Sequence, residues 1–206
     1  MNPARFITFE GIDRCGKTSQ VKLLREYCLL HDIPAVVSRE PGGAPVSEKI
    51  RHILLDKANS MVPMTELLLY TASRKQHLEE CIRPNLTDGR HVICDRYLDS
   101  SLVYQGVVRG IDRQTILDIH RLAGIDIMPD ITFLIDLPIE ICEARIQASG
   151  DRNRMEHFSI RQVEQMRQGY LALAVSYPER YVVVDGNRSI QEIHHQIIVN
   201  FSTLQP

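Results

Sequence analysis

The chain of 206 residues predicts one α/β domain, residues 1–206, in three layers: a five-stranded parallel sheet with helices on both faces. Three observations carry that reading. Short β-branched runs alternate with helical patterns from end to end, and parallel neighbours need such crossovers. The first strand-to-helix junction carries a glycine-rich sequence. Finally, 44% hydrophobic residues in a chain of this length suffice for one core.

The first strand is Arg5-Phe6-Ile7-Thr8-Phe9, aromatic and β-branched as a strand buried on both faces should be. Behind it, Val21, Leu23, Leu24, Tyr27, Cys28 and Leu30 recur at helical spacing, with Lys22, Arg25 and Glu26 on the polar side. Further strands are expected at 35–38, 91–95, 131–136 and 181–185, each ending at a polar residue. Helical patterns occupy 17–31, 45–55, 64–86, 112–123, 138–148, 160–174 and 189–203. Pro138 suits a first helical turn and Gly89 the turn after a helix. In such sheets ligands bind at the carboxyl ends of the strands, so chemistry is expected just after each apolar run.

Strand one leads into FEGIDRCGKTSQ, Phe9 to Gln20, where Gly11, Gly16, Lys17 and Thr18 fit G-x-x-x-x-G-K-S/T. With a strand before it and a helix after it, that pattern is a phosphate-binding loop, about residues 10–18, and the fold is of the P-loop NTPase type. Amides from Gly11, Ile12, Asp13, Arg14, Cys15 and Gly16 onward through Lys17, Thr18 and Ser19 converge on one anion, helped by the helix dipole. Lys17 adds a point charge, and the Thr18 hydroxyl is placed to ligate Mg²⁺.

The other strand ends carry Ser38-Arg39-Glu40-Pro41-Gly42-Gly43 and Asp95-Arg96-Tyr97. Arg39 and Arg96 could each form a surface ion pair; together beside a phosphate loop they are better explained by a second phosphate-bearing ligand. Asp95 could cap a turn or stand near Mg²⁺ or its water shell. Tyr70 and Arg74, four apart on a helix, share a face that could stack on and hydrogen-bond a nucleobase, or pack against each other without a ligand. The polar stretch ASGDRNRMEH, with Arg145, Arg152 and Arg154 in and beside it, reads either as a lid over a transferring phosphoryl group or as a solvated loop.

The formal charge is −2, with 24 basic residues against 26 acidic ones, so no nucleic-acid or membrane partner is expected. Five scattered cysteines without a C-x-x-C pair read as reduced thiols of a cytoplasmic protein. With Arg5 and Glu10 so near its start no signal sequence is expected, and no apolar run approaches the roughly 20 residues of a membrane span.

Nearly end to end, the chain resembles the thymidylate kinases, nucleoside monophosphate kinases that phosphorylate dTMP. The resemblance rests on FEGIDRCGKTSQ, SREPGG, ELLLYTASRKQH, CDRYLDSSLVYQGVVRGID, GDRNRME and PDITFLIDLP. It implies ATP and Mg²⁺ as cofactors and dTMP as substrate. It assigns Arg39 and Arg96 to the dTMP phosphate, Tyr70 and Arg74 to thymine, and Ser101 and Gln105 to the base pocket. Tyr104 would lie against the sugar, Asp13 near the 3′-hydroxyl, and Arg145, at the start of a lid over about 145–158, near adenine. CDRYLDSSLVYQGVVRGID would be the family's DR-x motif and the loop that follows it. Dimers are common in the family, so a homodimer is expected. One departure concerns the arginines: Arg14 stands in the loop while Arg152 and Arg154 stand in the lid, and either set could stabilise the transferring group.

The acceptor phosphate is already ionised, so no base is required. Glu10 and Asp95 are read as organisers of Mg²⁺, its waters and Lys17. Three functions stay open: a dTMP kinase, a kinase of the same architecture for another nucleotide or deoxynucleoside, and a regulatory P-loop protein. Against the last stands the lack of an N-K-x-D guanine-reading sequence.

Overall fold

β1 (Phe6–Glu10) is buried along its whole length because it is the middle strand of a five-stranded parallel sheet. The structure, a computed structural model, describes residues 3–149 and 158–203. With β2 (Ala35–Arg39), β3 (His91–Asp95), β4 (Ile131–Asp136) and β5 (Tyr181–Asp185), the strand order is β2-β3-β1-β4-β5. Phe6 faces Val92 of β3, and Ile7 faces Ile131 of β4. The order reverses at β1, so the chain leaves this strand at the topological switch point, where ligands of open α/β sheets bind. Phe6, Phe9 and Phe133 are fully buried around it, each contributing about 2–3 kcal/mol by leaving water.

The helices fall where periodicity predicts them: α1 (Lys17–Leu30), α2 (Pro45–Leu55), α3 (Pro63–His77) and α4 (Arg83–Thr87) in the first half of the chain. A π-helical turn, Leu78–Ile82, joins α3 to α4, so the predicted helix 64–86 is one run with a wide turn inside it. Pro84 lies just beyond; having no N–H to give and a ring that crowds the carbonyl four residues back, it favours such a local widening.

The stretch after β3 corrects the expected loop. It is helical: α5 (Leu98–Ser101) runs straight into a π-helical segment, Leu102–Val108. Leu98, Leu102 and Val103 supply its apolar side, while Asp99, Ser101 and Gln105 are polar and equally buried. A helix buried on its polar side as well lacks the two-faced pattern by which helices are recognised.

In the second half lie α6 (Arg113–Leu122), α7 (Ile139–Ser149), α8 (Ile160–Ser176) and α9 (Ile190–Ser202). Asp112 caps α6, and Ser159 and Ser189 open α8 and α9 with reciprocal capping boxes. Gly169 lets α8 pack closely on the π-helical segment: a Cβ there would lie 3.1 Å from Val107 and 3.4 Å from Val103. Among the described residues, no helix is long and apolar enough to cross a membrane.

Candidate active site

The turn from β1 into α1 is built from backbone conformations that side chains resist. Gly11 has φ 138°, and a Cβ there would meet the carbonyl oxygen of Ile135 at 2.6 Å; Gly16, before α1, has φ 109°. Arg14 holds φ 64° between them, with its side chain exposed. Lys17 folds back across the loop, donating from Nζ to the carbonyls of Gly11 (3.1 Å) and Ile12 (2.8 Å). Arg145 of α7, one of the exposed residues, donates to the Arg14 carbonyl at 3.0 Å, tying the base of the expected lid to the loop. Arg152 and Arg154 lie outside the described residues.

β3 ends beside this loop. Arg96, at φ 73°, reaches the Gly11 carbonyl (3.0 Å), the Ser100 and Tyr170 hydroxyls (3.1 and 2.9 Å), Asp13 Oδ1 (2.6 Å) and the Tyr104 hydroxyl (3.0 Å). Tyr104 in turn donates to Asp13 Oδ2 at 3.0 Å. Burial alone would raise the Asp13 carboxyl, but Arg96, Lys17 and these hydrogen bonds together hold it below the usual range. Asp95 Oδ2 accepts from the Thr18 hydroxyl at 2.7 Å, which brings the two expected metal ligands together.

Glu10 turns elsewhere than expected. As the last residue of β1 it is fully buried and accepts from the Tyr97 amide and the Ser100 hydroxyl, both at 2.7 Å, rather than from Lys17. Burial, then the nearby charge of Asp99, pushes its carboxyl up to about 7. Asp99 is itself buried and paired with Arg180 at 2.6 and 3.0 Å.

Arg39 is exposed at the sheet edge and bridges to Glu48 at 3.0 Å. Arg74 is only 1% exposed. Its donors meet Glu40 (2.6 Å), Ser101 (3.0 Å), His120 (2.6 Å) and the Tyr97 carbonyl (3.0 Å), and its guanidinium lies over the Tyr97 ring rather than that of Tyr70. Of five guanidinium N–H groups, four are thus engaged among the described residues. Burial and the Arg74 charge depress His120 to about 4, so it stays neutral, gives its Nδ1 proton to the Ile116 carbonyl and accepts from Arg74 at Nε2. For Glu40, burial acts upward, but Arg74 and His77 outweigh it and keep the carboxyl low.

The loop, the end of β3 and α3 border one cleft of about 880 Å³. Lys17, Thr18 and Ser19 form one wall, Arg96, Ser101, Tyr104 and Gln105 another, and Tyr70 and Arg74 a third. A family model for thymidylate kinase matches residues 9–197. The chain is 47% identical over 193 residues to the thymidylate kinase of Geobacter sulfurreducens, covering 90% of this chain and 91% of that one. It is 43% identical over 195 residues to the thymidylate kinase of a Thermoanaerobacter species, covering 94% and 95%. The chain belongs to the thymidylate kinase family. The fold agrees: the crystal structure of thymidylate kinase from Ehrlichia chaffeensis superposes with a TM-score of 0.79 at 35% identity, over 97% of this chain and 98% of that one.

As a thymidylate kinase family member, the chain is an ATP-dependent nucleoside monophosphate kinase. Among the described residues, those singled out from the sequence converge on its cleft, apart from Glu10, Gly11, Ile12 and Cys15, which are buried behind it. Sequence reasoning missed the residues that hold the others in place. Tyr170 stands 74 positions from Arg96 and gives no local signal. Glu40 was legible in part: it follows Arg39 directly, and neighbours in an extended chain point to opposite sides, so one faces solvent and the other the core.

Proposed function

We propose that ATP binds along the phosphate loop, with Lys17 and the loop amides on its phosphates and Arg145 near its base. dTMP occupies the opposite wall, its phosphate against Arg96 and Arg39, its sugar against Asp13 and Tyr104, and thymine among Tyr70, Arg74, Ser101 and Gln105. The observation that carries this reading is the junction of Asp13, Arg96 and Tyr104: Asp13 belongs to the phosphate loop, so the donor and acceptor walls meet there. Two anions meeting at such a junction are brought in line by position, and proximity is most of what phosphoryl transfer requires.

Arg96 serves as the acceptor's cation and is held for that task by Ser100 and Tyr170. Glu10 acts through Ser100 and Tyr97, a positioning role. The hydroxyl of Thr18 and the carboxylate of Asp95 are hard oxygen donors 2.7 Å apart, a set that fits Mg²⁺. The ion would neutralise charge on the donor phosphates when bound. Arg14 is the preorganised donor for the transferring group, on a backbone fixed at φ 64° and anchored by Arg145; Arg152 and Arg154 clamp ATP. We further propose a cytoplasmic homodimer. Met64 and Leu68 on α3, and Leu122 at the end of α6, leave apolar surface on helices that pack together. Sedimentation equilibrium returning a monomer at micromolar concentration would remove that assembly.

The experiment is ADP release from ATP and Mg²⁺ over dTMP, dUMP, UMP, CMP, AMP, GMP and thymidine, repeated with Arg96→Ala. The variant should lose kcat/KM for dTMP by an amount worth about 2–3 kcal/mol, the scale of a charge-assisted contact, with far less change in ATP affinity. If ATP affinity fell and dTMP affinity held, the two walls would have to be exchanged.

A further inference from the structure

Gln105 is 1% exposed at the wall of the cleft, one helical turn beyond Ser101. An amide side chain has a donating and an accepting end, and here one end is fixed: Nε2 donates to Glu66 Oε1 at 2.9 Å. Glu66, on α3, is also 1% exposed, and Arg109 binds both of its oxygens, from Nε at 3.3 Å and from Nη2 at 3.2 Å. With that cation against it Glu66 is a carboxylate, which accepts and never donates, so the amide end turned toward it must be the NH₂. The side-chain oxygen Oε1 of Gln105 is therefore the other end, and it has no hydrogen-bond partner among the described residues. The support continues outward: the Arg109 guanidinium lies 5.2 Å above the Phe158 ring, which packs edge-on against Tyr104 at 5.9 Å.

We propose that Glu66 is a specificity-determining positioning residue, which holds the Gln105 carbonyl toward the acceptor's nucleobase and so selects bases with a ring N–H at position 3. The inference deepens the base-pocket reading above and rests on it. Thymine and uracil carry a proton on N3; cytosine carries a lone pair there, which would face the Gln105 oxygen. A buried acceptor left against another acceptor loses its hydrogen bond outright, and sites built around one hydrogen bond reject analogues lacking it far more strongly than apolar pockets reject a changed shape. Glu66 touches no substrate in this scheme. It acts by denying Gln105 the flipped orientation, in which the NH₂ would face the base and suit cytosine.

Steady-state kinetics with dTMP and dCMP on the wild type, Glu66→Gln and Gln105→Leu tests this. A glutamine at 66 can donate as well as accept, so Gln105 becomes free to flip. The ratio of kcat/KM for dTMP over dCMP should fall at least tenfold, with KM for dTMP rising more than kcat falls. Gln105→Leu should raise KM for dTMP. If it does and the Glu66→Gln ratio stays within threefold of wild type, Gln105 meets the base but Glu66 does not set its orientation, and the inference is overturned. If Gln105→Leu leaves KM unchanged, the base-pocket reading falls and the inference with it. Two further measurements hold even if Glu66→Gln does not fold. The pair Glu66→Gln with Arg109→Met, which removes both charges, should lower the ratio likewise. On the wild type, dTMP methylated at N3 should lose at least 100-fold in kcat/KM, and a loss under threefold would refute the claim.

Discussion

Arg14 and Arg96 occupy the same backbone region, with φ 64° and 73°, and neither is the glycine that such angles favour. The cost of holding an arginine there, on the order of 1 kcal/mol, is offset at Arg96 by a cage of five polar partners. Arg14 has its carbonyl anchored by Arg145 and lies, exposed, at the mouth of the cleft. A donor fixed in advance needs no ordering as charge develops on the transferring group. Arg14→Ala is therefore expected to lower kcat by about 100-fold with little change in either KM, the mark of an interaction made only in the transition state. Arg152→Ala and Arg154→Ala should raise KM for ATP instead. Loss of kcat in a lid variant with Arg14→Ala near wild type would reverse the assignment.

Among the elements, the helix over residues 98–108 teaches most. Strands were legible because each is a short β-branched run stopped by a polar residue, and most helices because one side is apolar. Leu98–Val108 escaped because two kinds of burial coincide on it. Leu102 and Val103 pack in the core, while Ser101, Tyr104 and Gln105 face the cleft, and a pattern that is half cleft wall does not alternate like a surface helix. The same coincidence hid the supports of the site. Glu66 and His120 are buried polar residues inside helices with no neighbour in sequence to announce them, and their partners Gln105 and Arg74 lie 39 and 46 positions away. The close approach of α8 at Gly169 gives a direct check. Gly169→Leu would overfill the contact with Val103 and Val107, at a cost of about 1–3 kcal/mol, and shift Tyr170 away from Arg96. Urea denaturation should show the lost stability and kinetics a raised KM for dTMP; a variant unchanged in both would mean that the two helices yield without disturbing the site.

Stability across pH is a property of the whole molecule in which one residue can be isolated. His120 is held near 4, against 6.5 when unfolded, because burial and Arg74 oppose its protonation. A histidine depressed in this way contributes stability that is present above about 6.5 and is lost as pH falls through 4. Asp13 and Glu40, also depressed, lose their contribution in the acid range as well, whereas Glu10, raised to about 7, acts the opposite way. His120→Gln keeps an acceptor for Arg74 but cannot titrate. Relative to the wild type, its unfolding free energy should fall less between pH 6.5 and 4, by about 2–3 kcal/mol. Parallel curves for the two proteins would show that His120 is not buried neutral.

The central place of β1 has a consequence for how the chain comes to be folded. Thr8 hydrogen-bonds to Thr132 across 124 positions, and the other edge of β1 pairs with β3 around Val92. β1 thus waits for a partner 124 positions further on before both of its edges are covered, and contacts so distant in sequence form slowly. Until Ile131–Asp136 arrives, an apolar strand with one open edge is presented to any other chain nearby. The arrangement that sets the phosphate loop at the centre of the sheet also leaves this segment open to mispairing until β4 is made.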